Sequence, residues 1–519
     1  MKINFLSLFS RKIMFVISLI VSPSIYATDY NIKAYGAIAD GKTITTLPIQ
    51  KAINDCSLNG GGRVIVPSGK YLCGTLMLKD HVELFLEAGA VIYGSTHSKD
   101  YTTIEGQETL IGALGISNAA ITGFGEINGN GNFFIQKDNA THRPMIAFLK
   151  DSKHITISGI TLKSSAFWTL HLLYNDGVSI DNVHIYSHAN FNNDGIDIDS
   201  KNVIVSNCII DTDDDGICFK SDSSYVCENV TVSNCTIASN CNFLKMGTAS
   251  IGGFKNINIT NCSLHKASES NFRYWNKKNI GVTDAICGIA GIALEVVDGG
   301  IMEGINVSNI TMQDVQTPIF IRLGNRRNTT GALKNVIISN VIAKACSPIP
   351  SSITAIPGFY TENIVLSNIQ IEAKGAMIPD INAIIPEKEK SYPENRMFEV
   401  SLPAYGLYVR HAKGLTLNNI QFNVTGNDNR SAIYLEDAAN IRISQLQTTS
   451  SQNTSPIISI NQSKNVMVSN YTSPEKIPLF MHAKGNKTNN ITLLNNDFSN
   501  VEKVYSKDTN TASNAVNVK

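Results

Sequence analysis

The feature that most constrains this chain is a short repeat. Asn or Gly precedes alternating Ile and Val, then a Ser, Thr or Asp, then Asn or Gly and an apolar residue. It reads NAAITGF from Asn118, HITISGI from His154, GVSIDNV from Gly177 and NVIVSNC from Asn202. It returns as NVTVSNC from Asn229, NINITNC from Asn256, INVSNI from Ile305, NVIISNV from Asn335 and NIVLSNI from Asn363. Weaker copies begin at Gly414, Asn440, Asn465 and Asn490. Each copy holds a period-2 strand of β-branched residues that ends in a polar turn. A fixed period in the mid-twenties, with three strands per turn, is the signature of an all-β parallel β-helix. The Asn series at the turn (Asn207, Asn234, Asn261, Asn309, Asn340, Asn368) suits left-handed backbone and predicts a stacked ladder of amides.

Repeat arrays need closed ends. Ile49, Ala52, Ile53 and Cys56 stand at helical spacing within residues 48–59, which predicts a short amphipathic capping helix between Pro48 and Gly60-Gly61-Gly62. Two coils are over-long, at about 265–288 and 373–405, and the second carries Pro379, Pro386, Pro393 and Pro403. Long loops on one face of a solenoid build the wall of a cleft. The chain therefore divides into an export signal at 1–27, a cap with the first coils at 28–115, the main β-helix at 116–500, and a tail at 501–519 expected to be mobile.

The export signal is read from Lys2, Arg11 and Lys12 ahead of the apolar run Ile13 to Val21, followed by small residues up to Ala27. That run is shorter than the roughly 20 residues a membrane span needs, so the expectation is a soluble, secreted or periplasmic protein. Lys plus Arg equal Asp plus Glu at 43 each, so no global basic field points to nucleic acid. Of ten cysteines, Cys208, Cys235 and Cys262 recur at one place in the repeat, which fits stacked buried thiols better than disulfides. Cys56 and Cys73, outside that ladder, are the expected disulfide pair.

Aligning coils by the repeat stacks strands 195–200, 216–221, 243–248 and 291–296. Ile196 and Ile198, Ile217 and Phe219, Leu244 and Met246, and Ile292 and Leu294 must face inward. The outward set is then Asp197 and Asp199, Cys218 and Lys220, Lys245 and Gly247, and Ala293 and Glu295. Asp194, Asp214 and Asp215 stand at the entry to this sheet, on matched Asp-Gly segments. Neighbouring strands lie about 4.8 Å apart, so these carboxylates can converge on one sugar linkage. A lone Asp-Gly is ordinary turn chemistry, but like charges in series cost stability unless something uses them. Hydrolysis needs one carboxyl kept protonated and one ionised, which crowding supplies. A calcium cluster is the competing use; Lys220 and Lys245 oppose a cation and favour an anionic substrate.

These residues resemble glycoside hydrolase family 28, the polygalacturonases and rhamnogalacturonases, over roughly 29–470. The opening YNIKAYGAIADGKT and IQKAINDC resemble that family's N-terminal cap. Asn192-Asn193-Asp194 matches its Asn-Thr-Asp motif, with Asn193 for Thr, and Asp214-Asp215 matches its Asp-Asp motif. The resemblance implies a right-handed, single-stranded parallel β-helix of the pectin-lyase-like kind and inverting hydrolysis of pectic chains. Asp214 would be the acid, Asp194 and Asp215 would activate water, and Asp197 and Asn192 would support the site. No cofactor or metal is implied, and a monomer is expected.

Two departures qualify it. The family's Gly-His-Gly falls near Cys241-Asn242-Phe243, and its Arg-Ile-Lys falls on Ala293-Leu294-Glu295, which replaces both cations and adds an acid. A bacterial subgroup is similar at Lys245-Met246-Gly247-Thr248 and Ile321-Arg322-Leu323-Gly324-Asn325-Arg326. Lys220, Lys245, Arg322 and Arg326 are thus candidate substrate-gripping cations, Trp168 and His171 candidate cleft-lining residues, and Tyr405 and Arg410 weaker candidates. Three alternatives stay open: a rhamnogalacturonan hydrolase, a calcium-dependent pectate lyase on the same fold, and a non-catalytic β-helix with a binding surface.

Overall fold

The structure is a computed structural model and describes residues 28–134, 142–274, 282–376, 383–448 and 455–519. The export signal read at 1–27 lies outside the described residues. Strands of successive coils pair side by side in parallel; among the described pairings the exception is the antiparallel contact between Thr102–Ile104 and Gln107–Leu114. One core column shows why the repeat folds this way. Ile155, Val178, Val203, Val230, Ile257, Ile305, Val336 and Ile364 lie beside one another from coil to coil, all buried. β-Branched side chains favour extended backbone, and stacking like on like buries each coil's apolar face against the next.

At the turns, Asn207, Asn234, Asn261, Asn309, Asn340 and Asn368 all have left-handed φ values of 54–57°. Each amide from Asn234 onward donates to the Oδ1 of the Asn one coil earlier, at 2.9–3.4 Å, and Asn419 extends the ladder. A second ladder, which the repeat alone did not single out, joins Asn202, Asn229 and Asn256. Cys208, Cys235 and Cys262 are buried thiols, each donating to the carbonyl two residues back at 3.2–3.3 Å.

The capping helix spans Thr46–Leu58 and buries Ile49, Ala52, Ile53 and Cys56. It begins two residues before Pro48, which the first helical turn tolerates because the N–H there has no intrahelical acceptor.

Two expectations are corrected. Cys56 and Cys73 are separate buried thiols, and the disulfide joins Cys287 to Cys346. Cysteine spacing carries no information about which chain segments an insertion brings together. Residues 501–519 form two further strands, Val501–Lys507 and Val516–Val518, paired with Ile477–Lys484 and Asn489–Leu494. The last coil offers an open edge whose backbone groups pair without regard to apolar content, and Val501, Val504, Tyr505 and Val516 pack on the core.

The second insertion, between Thr361–Lys374 and Ala404–Lys413, lies over the outer face of the solenoid. Its Ile385, Met397, Phe398 and Leu402 form an apolar cluster with Ala293, Phe320 and Tyr408, which point outward from the sheet. That covering accounts for apolar side chains on a face turned away from the main core.

Candidate active site

The site is set by two close approaches between coils. Gly195 N donates to Asp215 O at 2.9 Å, and Gly216 N donates to Asn242 O at 2.8 Å. A Cβ on Gly195 would sit 2.5 Å from Gly216 O, and one on Gly216 would sit 2.8 Å from Phe243 O. Only glycine lets these strands close up, and each places an aspartate immediately before it at the edge of the sheet. The outward column then runs His171, Asp197, Cys218, Lys245, Ala293 and Phe320, as the alternation predicts.

Asp194, Asp214 and Asp215 line one cavity of about 470 Å³. Carboxylate oxygens of Asp194 and Asp215 lie within 4.8 Å of each other, as do those of Asp214 and Asp215. All three are buried, so their charges are expensive and must be compensated. Lys245 Nζ donates to Asp215 at 3.0 Å, and Asn242 donates to it from Nδ2 at 2.7 Å and from its backbone N at 3.1 Å. Lys220 Nζ lies 3.0 Å from Asp197 and 3.5 Å from Asp194. Arg273 pairs with Asp214.

The protonation preferences diverge. Burial, then Asp197 and Asp214, push Asp194 well above the usual carboxylate range. Burial likewise raises Asp197 to about 6, against the pull of Lys220, and Asp199 to about 7. Burial works against ionised Asp215 too, but Lys245, Lys220 and the Asn242 hydrogen bond overcome it and hold that carboxyl below its ordinary value. One cavity thus contains a carboxyl that keeps its proton and another that gives it up, the division that acid–base chemistry on one bond requires.

Trp168, His171 and Asn192 also line the cavity. Lys220 Nζ lies 4.3 Å from the Trp168 ring centroid, and His171 stacks on Phe148 with centroids 4.8 Å apart. Burial and then Lys220 push His171 down to about 3, so it is a neutral ring. Asn192 sits at φ 55° and accepts a hydrogen bond from Arg143 at 3.2 Å.

Arg322 and Arg326 are corrected. Arg322 is buried and donates to Ala355 O, Glu387 O and Lys388 O at 2.9–3.1 Å, tying down the second insertion. Arg326 binds Asp298 at 2.9 and 2.6 Å. Neither lines the cavity. Of the weaker candidates, Tyr405 packs in the main core and Arg410 pairs with Glu387.

Three contributors were not singled out from sequence. Arg273 comes from the first insertion, and Tyr392, whose OH lies 3.3 Å from Lys245 Nζ, from the second. Arg143 donates to Phe191 O at 2.6 Å and stacks on Phe191 and Phe167 at 4.1 and 4.7 Å, bracing the turn that leads to Asp194. The over-long coils were the available signal for the first two.

Residues 56–388 match the profile of the family described as Glycosyl hydrolases family 28. The chain belongs to glycosyl hydrolase family 28. A probable polygalacturonase of Vitis vinifera is 31% identical over 211 residues, covering 36% of this chain and 43% of that protein. An exo-poly-alpha-D-galacturonosidase of Dickeya chrysanthemi is 27% identical over 253 residues, covering 36% and 41%. The matched segment spans less than half the length of these curated relatives. Among solved structures, the family 28 exopolygalacturonase of Yersinia enterocolitica aligns over 85% of this chain and 78% of its own, with a TM-score of 0.54 and 19% identity. The polygalacturonase from Erwinia carotovora ssp. carotovora aligns over 68% and 96%, with a TM-score of 0.52 and 18% identity. These last two likenesses establish the fold: a mostly parallel-stranded solenoid shared with family 28 members.

Proposed function

We propose that this protein is an exported, monomeric glycoside hydrolase that cleaves galacturonate-containing pectic chains by single displacement with inversion, on a right-handed single-stranded β-helix. The observation that carries this reading is the convergence of three buried aspartates on one cavity, with Asp215 held ionised between Lys245 and Asn242. Asp215 takes a proton from the attacking water as its oxygen bonds to the anomeric carbon. Asp214 gives a proton to the departing glycosidic oxygen as that bond breaks. Asp194 orients the water. Trp168 lines the cavity beside Lys220. No cofactor enters the scheme. The relatives, a probable polygalacturonase and an exo-poly-alpha-D-galacturonosidase, support the substrate class.

The second insertion supports action from chain ends, since Tyr392 stands over Lys245 at the wall of the cavity. A calcium-dependent lyase is disfavoured by Lys220 and Lys245, whose ammonium groups already lie against the carboxylates a calcium ion would need.

Incubating the protein with homogalacturonan, rhamnogalacturonan and oligogalacturonides, with and without chelator, tests the reading by mass spectrometry of products. Saturated, water-added fragments indifferent to chelator are expected, beginning with the shortest products if chain ends are attacked. Unsaturated fragments that need calcium would sink it.

A further inference from the structure

We propose that Tyr174 is a specificity-determining residue whose phenolic hydroxyl binds a sugar hydroxyl of the substrate, at the edge of the cavity opposite the three aspartates. This rests on the pectic hydrolase reading above.

Tyr174 stands where the backbone does not favour it. Leu114, Lys150 and Leu173 are in register from coil to coil, and the residue after each makes the same turn. Gly115, Asp151 and Tyr174 hold that turn at φ 64°, 51° and 58°. Glycine has no Cβ to clash there, and the short Asp side chain tolerates it. For a bulky side chain such a φ is an outlier, and no other Tyr, Phe or Trp among the described residues adopts one. An outlier at a cavity wall is a reason to look for function. The ring is braced as well: it packs on Tyr225 with centroids 5.0 Å apart, and Tyr225 OH donates to Asn175 O at 3.2 Å.

The surroundings say what this residue can hold. Leu170 pairs with Ile196 and Leu173 with Asp199, so the Tyr174 turn follows the strand end, across the sheet from the edge that carries Asp194. Tyr174 is half-buried and lines the same cavity as the three aspartates. Among the described residues none hydrogen-bonds its hydroxyl. Asp199 and Asp222 line the cavity too. Asp199 is buried; one of its oxygens accepts from Asp222 N at 3.2 Å, and the other has no hydrogen-bond partner among the described residues. Buried polar atoms are paired in the great majority of cases, so an orphan beside a cavity points to an atom of the ligand. Lys150 Nζ, 6.0 Å from the Tyr174 ring centroid, is already paired with Glu105 and Asp151. A sugar hydroxyl can accept from the phenol and donate to a carboxyl oxygen, whereas a uronate carboxylate can only accept. This end of the cavity therefore suits the hydroxyl-bearing side of a sugar ring.

The test compares kcat, KM and melting temperature of wild type, Tyr174→Phe and Tyr174→Asn, with oligogalacturonides as substrate. Tyr174→Phe keeps the ring, its packing on Tyr225 and the strained turn, and removes the hydroxyl alone. Its KM should rise about 3- to 10-fold, the scale of one neutral hydrogen bond, with kcat and melting temperature unchanged. A wild-type KM would overturn the proposal. A rise on the order of 100-fold, the scale of a contact to a charge, would put the uronate rather than a hydroxyl on Tyr174 and overturn it as well.

Tyr174→Asn gives a second measurement. Asn accepts left-handed backbone, so the variant should fold, and its KM should rise at least as far as that of Tyr174→Phe. A lowered melting temperature with unchanged KM would reduce Tyr174 to a packing partner of Tyr225 and overturn the proposal. Wild type that cleaves no oligogalacturonide would instead overturn the hydrolase reading on which the proposal rests.

Discussion

Two columns of side chains climb the same coils and obey opposite rules. At the turns the column is uniform: Asn234, Asn261, Asn309 and Asn340 repeat one residue type, one left-handed backbone state and one amide-to-amide bond. On the outer face of the catalytic sheet each coil differs: Asp197, Cys218, Lys245 and Ala293 follow in register. Uniformity lowers the energy of every coil equally, while the irregular column concentrates buried like charge in three coils. A solenoid can hold such strain because each coil answers only to its neighbours. The turn column should therefore govern stability without activity, and the sheet column activity at some expense of stability.

The sharpest break in that comparison is Asp194→Asn. Asp194 holds its proton against Asp197 and Asp214, so an amide of the same shape removes a crowded carboxyl without orphaning a cation that has Asp197 as its nearer partner. Hydrolytic kcat should fall by about 10³-fold or more. The melting temperature should hold or rise, because a neutral amide replaces a neutral carboxyl and cannot ionise beside Asp197 and Asp214. Loss of stability together with activity would mean that this column is structural too.

Arg322→Ala comes next and sharpens the boundary between the two rules. Arg322 faces outward from the sheet, yet it serves the fold by holding three carbonyls around the second insertion. Removing it should cost about 3 kcal/mol, from unsatisfied buried carbonyls and lost packing. Faster proteolytic cleavage within 383–403 would show where the cost falls. Unchanged stability would return Arg322 to the list of groups available to substrate.

These two residues mark how far sequence reached. The repeat exposed the stacking, the inward and outward sides of each strand, and the convergence of Asp194, Asp214 and Asp215, because all three follow from period and alternation. Arg322 was read as a candidate substrate-gripping cation, but its partners belong to an insertion with no period to read. Arg273 and Tyr392 stayed hidden for the same reason, since an irregular loop fixes its path through contacts that the local pattern does not encode. The Cys287–Cys346 bridge is another such contact. The last strands were missed because backbone pairing at an open edge asks little of side chains.

Glu295→Gln probes the strain of the sheet column through pH. Burial raises Glu295 to about 7, with Lys245 pulling the other way. Below the unfolded-state value, near 4.5, the carboxyl is protonated whether folded or not. As pH rises from there, the unfolded chain releases the proton and the folded one retains it, so stability is lost until about pH 7 and then levels. The Gln variant should lack on the order of 2–3 kcal/mol of that decline, measured by denaturant titration between pH 4.5 and 8. Asp199, also raised to about 7, should preserve a residual slope of the same sign. A variant with the full wild-type slope would show that Glu295 is not the strained group.

The smallest effects belong to the turn column, where two causes can be separated at one residue. Asn261 donates to Asn234 at 3.4 Å, accepts from Asn309 at 3.0 Å, and sits at φ 57°. Asn261→Ala loses both amide bonds and forces a Cβ without local polar compensation into left-handed geometry, so about 1–2 kcal/mol of stability should go. Asn261→Gly loses the same bonds but removes the steric penalty, and about 0.5 kcal/mol or less should remain, because these amides are exposed and water replaces them. If the Gly variant is as unstable as the Ala variant, the ladder itself stabilises the coil; if it is nearly wild type, Asn is present for its backbone conformation and the amide ladder is a by-product of stacking. In both variants kcat should match wild type, since Asn261 lies on a turn that contributes nothing to the cavity lining. A changed kcat would mean that the two columns are coupled across the coil, which a solenoid whose coils each answer only to their neighbours does not require.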